Sequence, residues 1–381
     1  MGNRPIRVGI VGVGWGAFIQ GPGFRAVPEF ELAALCGRRP GPLADAAARL
    51  SIDDTSTDWA SFVSRPDLDL ISVATPVALH HPVTMAAIAA GKHVLCEKPL
   101  AVTEKEAAEL VNAAGAAGVV AATGFELRWT PDRLAMWELI ESGFLGSPYF
   151  VRTSQAKDLW HPTHRLQSPW MYDLDQGGGQ LSAGLSHDID FVLRCFGPAE
   201  AVCADVRTSV RERTTPDGEP LPVTADDSGG VLLRLASGAL AILSYTVMGA
   251  HAGGAEFEAY GSEGSVVAHG SGSASQRGVA ADDTLLYGRA ADDGLRPLAL
   301  SGREPRTRPD LPPNRFSSTA IRAFALMLED WLPAFSGGPS RAPSLAEGLA
   351  VQRIVEAART SSEEGRWVSL EQPRPRRNHA G

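Results

Sequence analysis

The feature that most constrains the fold is an apolar run near the start of the chain that leads directly into a glycine-rich loop. Residues 6–11 read Ile-Arg-Val-Gly-Ile-Val, which is typical of a buried strand. The residues that follow match the pattern G-x-G-x-x-A: Gly12, Val13, Gly14, Trp15, Gly16 and Ala17. The first glycine permits a tight turn, the second lets the backbone approach a pyrophosphate, and the small last residue allows close packing of helix on strand. The pattern predicts a dinucleotide-binding loop at a helix N-terminus.

Strand and helix patterns continue to alternate after this loop. Helical segments separate strand-like runs at residues 31–36, 70–74, 93–96 and 119–122. Thr103 and Glu106 form a capping box that begins a further helix. Such alternation is typical of a parallel sheet covered by helices. We expect residues 1–124 to form a Rossmann dinucleotide-binding domain, with a flavodoxin-like doubly wound fold as the alternative.

The end of the second predicted strand indicates which dinucleotide is bound. In Rossmann domains an acidic residue here binds the ribose 2′-hydroxyl of NAD, whereas a basic residue accommodates the 2′-phosphate of NADP. Gly37 stands near the acidic position, and Arg38 and Arg39 follow with guanidinium groups that can pair bidentately with phosphate. We therefore expect NADP to be preferred. The alternative is that both arginines are solvated and that NAD is used.

Short motifs with polar side chains lie at separated positions along the chain. They are Ala74-Thr75-Pro76, His80-His81, Glu97-Lys98-Pro99, Arg128-Trp129-Thr130-Pro131, the glycine run at 177–179 and His187-Asp188-Ile189-Asp190. Together with the glycine loop, this set resembles the glucose-fructose oxidoreductase and inositol dehydrogenase (Gfo/Idh/MocA) family. The resemblance implies an α/β protein in which a C-terminal α+β domain with a large open, mostly antiparallel sheet follows the Rossmann domain. It also implies NAD(P)-linked redox chemistry at polyol carbons.

The resemblance also assigns roles to individual side chains. In this family the lysine of Glu-Lys-Pro lies beside the nicotinamide and the reacting hydroxyl, and Lys98 matches it. An aspartate commonly precedes a histidine by four residues; His187 matches the histidine, but Ala183 occupies the aspartate position. We predict Lys98 and His187 as catalytic residues. The predicted cofactor-binding residues are Gly12, Val13, Gly14, Trp15, Gly16, Arg38, Arg39, Thr75, Pro76, His80, Glu97, Lys98, Arg128 and Trp170.

Lys98 also stands out on physical grounds. It follows an apolar strand at its carboxyl end, which is the side where ligands bind in open α/β sheets. Desolvation and a nearby cationic nicotinamide would lower its pKa toward neutrality, so that its amine could exchange a proton with a substrate hydroxyl. The chain has only four lysines among 35 basic residues, which makes a lysine here unusual. The alternative is a solvated lysine paired with Glu97.

Residues 125–370 carry strand-like runs separated by turn residues such as Ser237-Gly238, which indicates largely antiparallel pairing. We expect them to form a substrate-binding and oligomerisation domain, followed by a disordered tail at residues 371–381. The predicted substrate-binding residues are Lys98, Trp160, His161, His187 and Asp190.

Two of these substrate assignments come from side-chain spacing. His187 and Asp190 are one helical turn apart, so that Asp190 could orient an imidazole that exchanges a proton with the substrate. The alternative is that His187 caps a helix. Trp160 and His161 are expected to form a lid or wall that stacks on a sugar ring.

Composition excludes several other classes of protein. A formal net charge of −9 argues against nucleic acid as a partner. The most apolar stretch, residues 231–248, is interrupted by polar residues and reads as two strands, and residues 1–14 leave no room for a signal peptide. The four cysteines lack metal-like spacing, and Asp158, His161 and His164 lack a convincing further ligand. We expect a cytoplasmic protein without a metal and without a membrane partner.

The preferred function is hydride transfer between a nicotinamide and a carbinol carbon of a sugar or cyclitol, in a homodimer or homotetramer that covers the open sheet. Two alternatives remain from the sequence. One is a redox-neutral glycosidase that retains its dinucleotide, and the other is a non-catalytic dinucleotide-binding regulatory protein.

Overall fold

The computed structural model describes residues 4–164, 166–252, 254–269, 284–307 and 315–370, so the tail predicted at 371–381 lies outside the described residues. The first part of the chain forms a parallel sheet. Its strands are β1 (Ile6–Val11), β2 (Phe30–Cys36), β3 (Thr55–Ser56), β4 (Leu70–Val73), β5 (His93–Glu97) and β6 (Ala121–Gly124). They pair in the order β3-β2-β1-β4-β5-β6, which confirms the Rossmann prediction. The order reverses between β1 and β4, which places a ligand crevice at the carboxyl ends of these strands.

Helices connect the parallel strands. They are α1 (Gly21–Arg25), α2 (Pro40–Leu50), α3 (Trp59–Val63), α4 (His80–Ala89) and α5 (Glu104–Ala117). One π-helical turn, Gly16–Gln20, precedes α1, in which Pro22 occupies the first turn, where a missing backbone N–H costs little. The predicted capping box of Thr103 and Glu106 is present at the start of α5.

The second part of the chain forms a larger sheet. Its strands among the described residues are β7 (Pro148–Ala156), β8 (Ala199–Arg207), β11 (Ser228–Leu235), β12 (Leu240–Thr246), β13 (Gly254–Gly261), β14 (Gly264–His269), β15 (Thr284–Arg289), β16 (Arg296–Pro297) and β17 (Val368–Ser369). They follow the order β16-β15-β14-β13-β7-β12-β11-β8-β17, and a separate ribbon joins β9 (Glu212–Thr214) to β10 (Pro220–Pro222). Central strands β7 and β12 pair in parallel, while the neighbouring pairs are antiparallel. The predicted open, mostly antiparallel sheet is confirmed.

Helices cover one face of this sheet. They are α6 (Pro131–Glu141), α7 (Ser186–Phe196) and α9 (Leu345–Glu364). On β7 the buried residues Val151, Thr153 and Gln155 alternate with more exposed ones, and Gln155 contacts α7. The opposite face carries more exposed side chains, of which Arg152 on β7 is 45% exposed.

The last described segment returns to the Rossmann domain. Phe324, in α8 (Arg315–Trp331), packs edge-on against Phe24 of α1 at 5.3 Å between ring centroids. Arg353 in α9 donates through Nε to Glu104 of α5 at 2.8 Å. Residues 315–370 therefore contact helices of the first sheet as well as the second sheet. No helix in the described ranges is long and apolar enough to cross a membrane.

Candidate functional site

The glycine loop closes tightly over the end of β4. Gly12 has φ of +116°, and a Cβ at this position would overlap the carbonyl of Ala74, so that only glycine fits. A Cβ on Gly14 would meet nothing within 4 Å, so its backbone faces open space. A constrained first glycine and an open second glycine are what a pyrophosphate at this loop requires. The residues present therefore fit a dinucleotide.

The end of β2 lies directly beside this loop. A Cβ on Gly37 would lie 2.9 Å from Cγ1 of Val13, so a larger residue here would displace the glycine loop. Arg38 and Arg39 follow with exposed side chains, and Arg39 immediately precedes α2. Both arginine side chains therefore extend from the backbone next to the part of the site where the adenosine is predicted to bind.

His80 differs from its predicted role as a cofactor ligand. Its ring is 1% exposed, with Nδ1 2.8 Å from the carbonyl oxygen of Pro99 and Nε2 3.0 Å from that of Thr75. Burial lowers the pKa of His80. Because both ring nitrogens contact backbone, His80 braces the loops after β4 and β5 and presents no free nitrogen to a ligand.

Two consecutive hydrogen bonds between polar side chains hold Glu97 in place. Ser72 donates to Gln20 at 2.7 Å, and Gln20 donates through Nε2 to Glu97 at 2.8 Å. Burial raises the pKa of Glu97, while the charge of Lys98 and hydrogen bonds from Gln20 and Trp15 oppose this shift. Glu97 and Trp15, both predicted to contact the cofactor, thus interact with each other and fix the end of β5.

Lys98 connects the two parts of the chain. Its Nζ donates to the carbonyl oxygen of Ala183 at 2.6 Å, across 85 positions of sequence. Burial lowers the pKa of Lys98, and the charges of Glu97 and Glu126 oppose that shift. Position 183 has no side-chain carboxylate, and its backbone carbonyl oxygen accepts the hydrogen bond from the Lys98 amine instead.

Glu126 is a residue that the sequence analysis missed. It is fully buried, and neither carboxylate oxygen has a hydrogen-bond partner among the described residues. Burial raises the pKa of Glu126, the charge of Glu97 raises it further, and the charge of Lys98 lowers it. It lies in the run Phe125-Glu126-Leu127, where nothing in the pattern distinguishes it from a surface residue.

His187 lies in the first turn of α7, close to the lysine. It is 7% exposed, and its ring packs edge-on against Phe125 at 5.7 Å between centroids. No described residue lies within hydrogen-bond distance of either ring nitrogen. Burial, followed by the charges of Lys98, Arg133 and Lys157, places the pKa of His187 well below its ordinary value. The imidazole is therefore neutral at neutral pH, with one donor and one acceptor available.

Asp190 and Arg128 differ from their predicted roles. Arg128 donates through Nε to Asp190 at 2.6 Å and through Nη1 to Glu347 at 2.9 Å, and its Nη2 also contacts Asp190. Both partners of the Arg128–Asp190 pair are 2% exposed. Two opposite charges removed from water pair with each other. The guanidinium of Arg128 thus pairs with carboxylates of the protein, and Asp190 pairs with Arg128 and not with His187.

The segment after β7 also corrects one assignment. Trp160 is 1% exposed and packs on Tyr172 at 4.6 Å between centroids, so it belongs to a small core and not to the wall of a pocket. His161 is partly buried, and its Nδ1 lies 2.8 Å from Oγ1 of Thr163. Trp170 is partly buried in the turn Pro169–Tyr172. Among the described residues, no group of three or more His, Cys, Asp or Glu could hold a metal ion.

Two family models match the chain. Residues 6–125 match the oxidoreductase family with an NAD-binding Rossmann fold, and residues 134–267 match the GFO/IDH/MocA C-terminal domain.

Individual relatives cover most of the chain. It is 34% identical to a 1,5-anhydro-D-fructose reductase of Ensifer adhaerens over 323 residues, which is 82% of this chain and 84% of the relative. It is 29% identical to an NADP⁺-linked scyllo-inositol 2-dehydrogenase of Bacillus subtilis, with 96% of each chain covered. A solved structure of levoglucosan dehydrogenase, in complex with NADH and levoglucosan, matches with a TM-score of 0.81 and 28% identity over 97% of this chain and 100% of that chain.

The Arg128–Asp190 pair generates a prediction about stability. Replacing Arg128 with Met leaves the buried Asp190 carboxylate without its partner, which we expect to lower the free energy of unfolding by about 3–5 kcal/mol. Arg207→Met removes an exposed ion pair with Asp205 and should cost at most about 1 kcal/mol. Denaturant unfolding measures both. If Arg128→Met unfolds with unchanged stability but binds NADPH less tightly, Arg128 is a cofactor-binding residue and not a structural one.

Proposed function

Because the chain belongs to the Gfo/Idh/MocA family of NAD-binding oxidoreductases, we propose that it transfers a hydride between a nicotinamide and a carbinol or carbonyl carbon of a sugar or cyclitol. The observation that carries this proposal is a partly buried lysine at the carboxyl end of β5, whose charge acts on the neutral imidazole of His187. Related proteins named as dehydrogenases and reductases of sugars and cyclitols support it. The glycosidase and the non-catalytic alternative are not favoured.

The proton chemistry follows from the site residues. The nicotinamide, when bound, accepts or supplies the hydride at its C4. In the oxidation direction the neutral amine of Lys98 accepts the hydroxyl proton, and in reduction the ammonium returns it. Burial lowers the pKa of Lys98 and so favours the neutral amine that accepts the proton. The neutral imidazole of His187 donates a hydrogen bond to the same substrate oxygen.

The positions of the remaining side chains define the rest of the proposed site. Gly12, Gly14 and Gly16 approach the pyrophosphate, and Thr75 and Pro76 line the crevice after β4. We retain His161 as a candidate for the substrate and Trp170 as a candidate for the cofactor, because both side chains are partly buried. Glu97 and His80 act as positioning residues, because their polar atoms contact protein groups.

We propose that NADP is the preferred cofactor. Arg38 and Arg39 are exposed next to the glycine loop, and no acidic residue stands at the end of β2. The relatives are divided: the inositol enzyme is named as NADP⁺-linked, while the levoglucosan dehydrogenase structure contains NADH. The arginine pair decides our preference, since bidentate guanidinium pairing suits a 2′-phosphate.

We also propose an oligomeric state, a cellular compartment and domain boundaries for the chain. The uncovered face of the second sheet supports a homodimer or homotetramer, because a large sheet face of this kind is normally buried. Four free cysteines support a reducing compartment such as the cytoplasm. Residues 1–124 and 125–370 remain our proposed domains, with α8 and α9 contacting both.

We predict that Lys98→Ala lowers turnover by about 10²–10⁴-fold, because the proton acceptor is lost. The affinity for NADPH should stay within about threefold, since the amine contacts the reacting oxygen and not the dinucleotide phosphates. Lys105→Ala, an exposed change in the first turn of α5, is the matched control. Wild-type turnover in Lys98→Ala would refute the assignment.

A pH profile separates proton exchange from a structural defect in the same variant. The kcat/KM for oxidation should rise with pH as Lys98 loses its proton and should level off below 10.5, since burial lowers its pKa. The kcat/KM for reduction should fall over the same interval. The residual activity of Lys98→Ala should show neither the rise of kcat/KM for oxidation nor its fall for reduction.

The cofactor proposal predicts tighter binding of NADPH than of NADH in a fluorescence titration. Replacing Arg38 and Arg39 with Ala together should weaken NADPH about 10–100-fold, since charged hydrogen bonds to the 2′-phosphate are lost. NADH serves as the internal control and should be unaffected. Equal affinities in the wild-type protein would show that both arginines are ordinary surface residues.

A further inference from the structure

Lys157 is an amine near the site that the mechanism leaves unused. It directly follows β7, and the backbone around it is fixed, because its N–H donates to Thr246 at 2.9 Å and its carbonyl accepts from Gly249 at 3.0 Å. Its side chain is partly buried, and its Nζ donates to no described residue. A partly desolvated amine without an acceptor is costly unless a ligand supplies one.

The strand alternation places Lys157 on the side of the reaction site. Val151, Thr153 and Gln155 form the buried face of β7, and residue 157 continues the same alternation. Gln155 donates through Nε2 to Asp188 of α7 at 2.8 Å, so this face points toward the first turn of α7. His187 lies in that turn. Lys157 therefore lies one strand step beyond Gln155, beside the predicted proton-exchanging residues.

Electrostatic influences agree with this placement. Burial lowers the pKa of Lys157 to about 8, Asp188 opposes the shift, and Arg133 and Lys98 add to it. The charge of Lys157 in turn lowers the pKa of His187. The charges of Lys98 and Lys157 therefore both act on His187, which places the three side chains near one another.

Two nearby carboxylates, Asp188 and Glu97, already have protein partners, while Glu126 influences Lys98 but is not among the charges that shift the pKa of Lys157. Asp188 accepts hydrogen bonds from Arg133 and Gln155, and Glu97 accepts one from Gln20. Position 183 carries an alanine and contributes no carboxylate. The site thus contains two lysine amines, and among the described residues no carboxylate forms an ion pair with Lys157. A negatively charged group on the ligand would form that ion pair.

We propose that Lys157 binds a carboxylate of the substrate, so that the preferred substrate is a sugar acid and not a neutral sugar. This inference rests on the proposed sugar oxidoreductase function. Lys98 and His187 contact the reacting hydroxyl, while Lys157 determines specificity at a second position on the same molecule. A neutral sugar can offer Lys157 only a hydroxyl, and hydrogen bonds between charged groups are about twice as strong.

The test compares sugars that differ only by oxidation of the terminal carbinol. Initial rates are measured for D-glucose against D-glucuronate and for D-galactose against D-galacturonate, with both NAD⁺ and NADP⁺. The wild-type protein should show the higher kcat/KM with the uronates. Lys157→Met should raise the KM for uronates about tenfold or more with little change in kcat, while the KM for neutral sugars stays within about threefold.

Two further variants make the result specific. Lys157→Arg retains the positive charge and should recover part of the affinity for uronates, which a merely structural role of Lys157 would not produce. Lys105→Met removes an exposed lysine and should change nothing. Thermal unfolding of each variant confirms that the comparison is made between folded proteins.

Failure of this inference is distinguishable from failure of the proposed function. If neutral sugars are oxidised at least as well as uronates, or if Lys157→Met weakens both alike, the carboxylate assignment is overturned while the oxidoreductase function stands. If no sugar is oxidised, the same compounds are titrated against the NADPH complex by fluorescence. Uronates that bind less tightly to Lys157→Met than to wild type then support the inference, and equal binding overturns it.

Discussion

The hydrogen bond from the Lys98 amine to the carbonyl of Ala183 is the contact on which the site depends, since it joins the end of a Rossmann strand to the turn before α7. An amine removed from water requires an acceptor, and here the backbone supplies it. Other contacts hold the two ends of this bond in place. His80 braces the loop that contains Pro99, and Arg133 fixes α7 through Asp188 and the carbonyl of His187.

Burial affects all of the ionisable side chains around this hydrogen bond. Burial raises the pKa of both Glu97 and Glu126 and lowers the pKa of Lys98, so every group is driven toward its neutral form. The carboxyl groups therefore tend to hold protons, and the lysine tends to release one. Glu126 is fully buried without a hydrogen-bond partner among the described residues, and its charge acts on Lys98. A lysine in this environment can change protonation state at modest cost.

The sequence predicted the parts of the molecule that depend on local patterns. The parallel strands, the capping box at Thr103 and the antiparallel second sheet follow from periodicity and turn residues. The position of Lys98 directly after a strand was also predictable, and its catalytic role stays a prediction. Long-range pairing was not predictable in this way. Arg128 and Asp190 are 62 positions apart, and each lies in a motif that also suits a ligand role, so only the fold reveals that they pair. Trp160 is buried because Tyr172 packs over it, which no local pattern indicates.

Direct transfer of hydrogen from a carbinol carbon to the nicotinamide is the central claim, and isotope transfer tests it most directly. The protein is incubated with oxidised cofactor and a sugar that carries deuterium at every carbon-bound position, and the reduced cofactor is analysed by mass spectrometry. We predict one deuterium in each molecule of reduced cofactor formed. Conversion of the sugar without reduced cofactor, or deuterium released to water, would contradict the account and indicate redox-neutral chemistry.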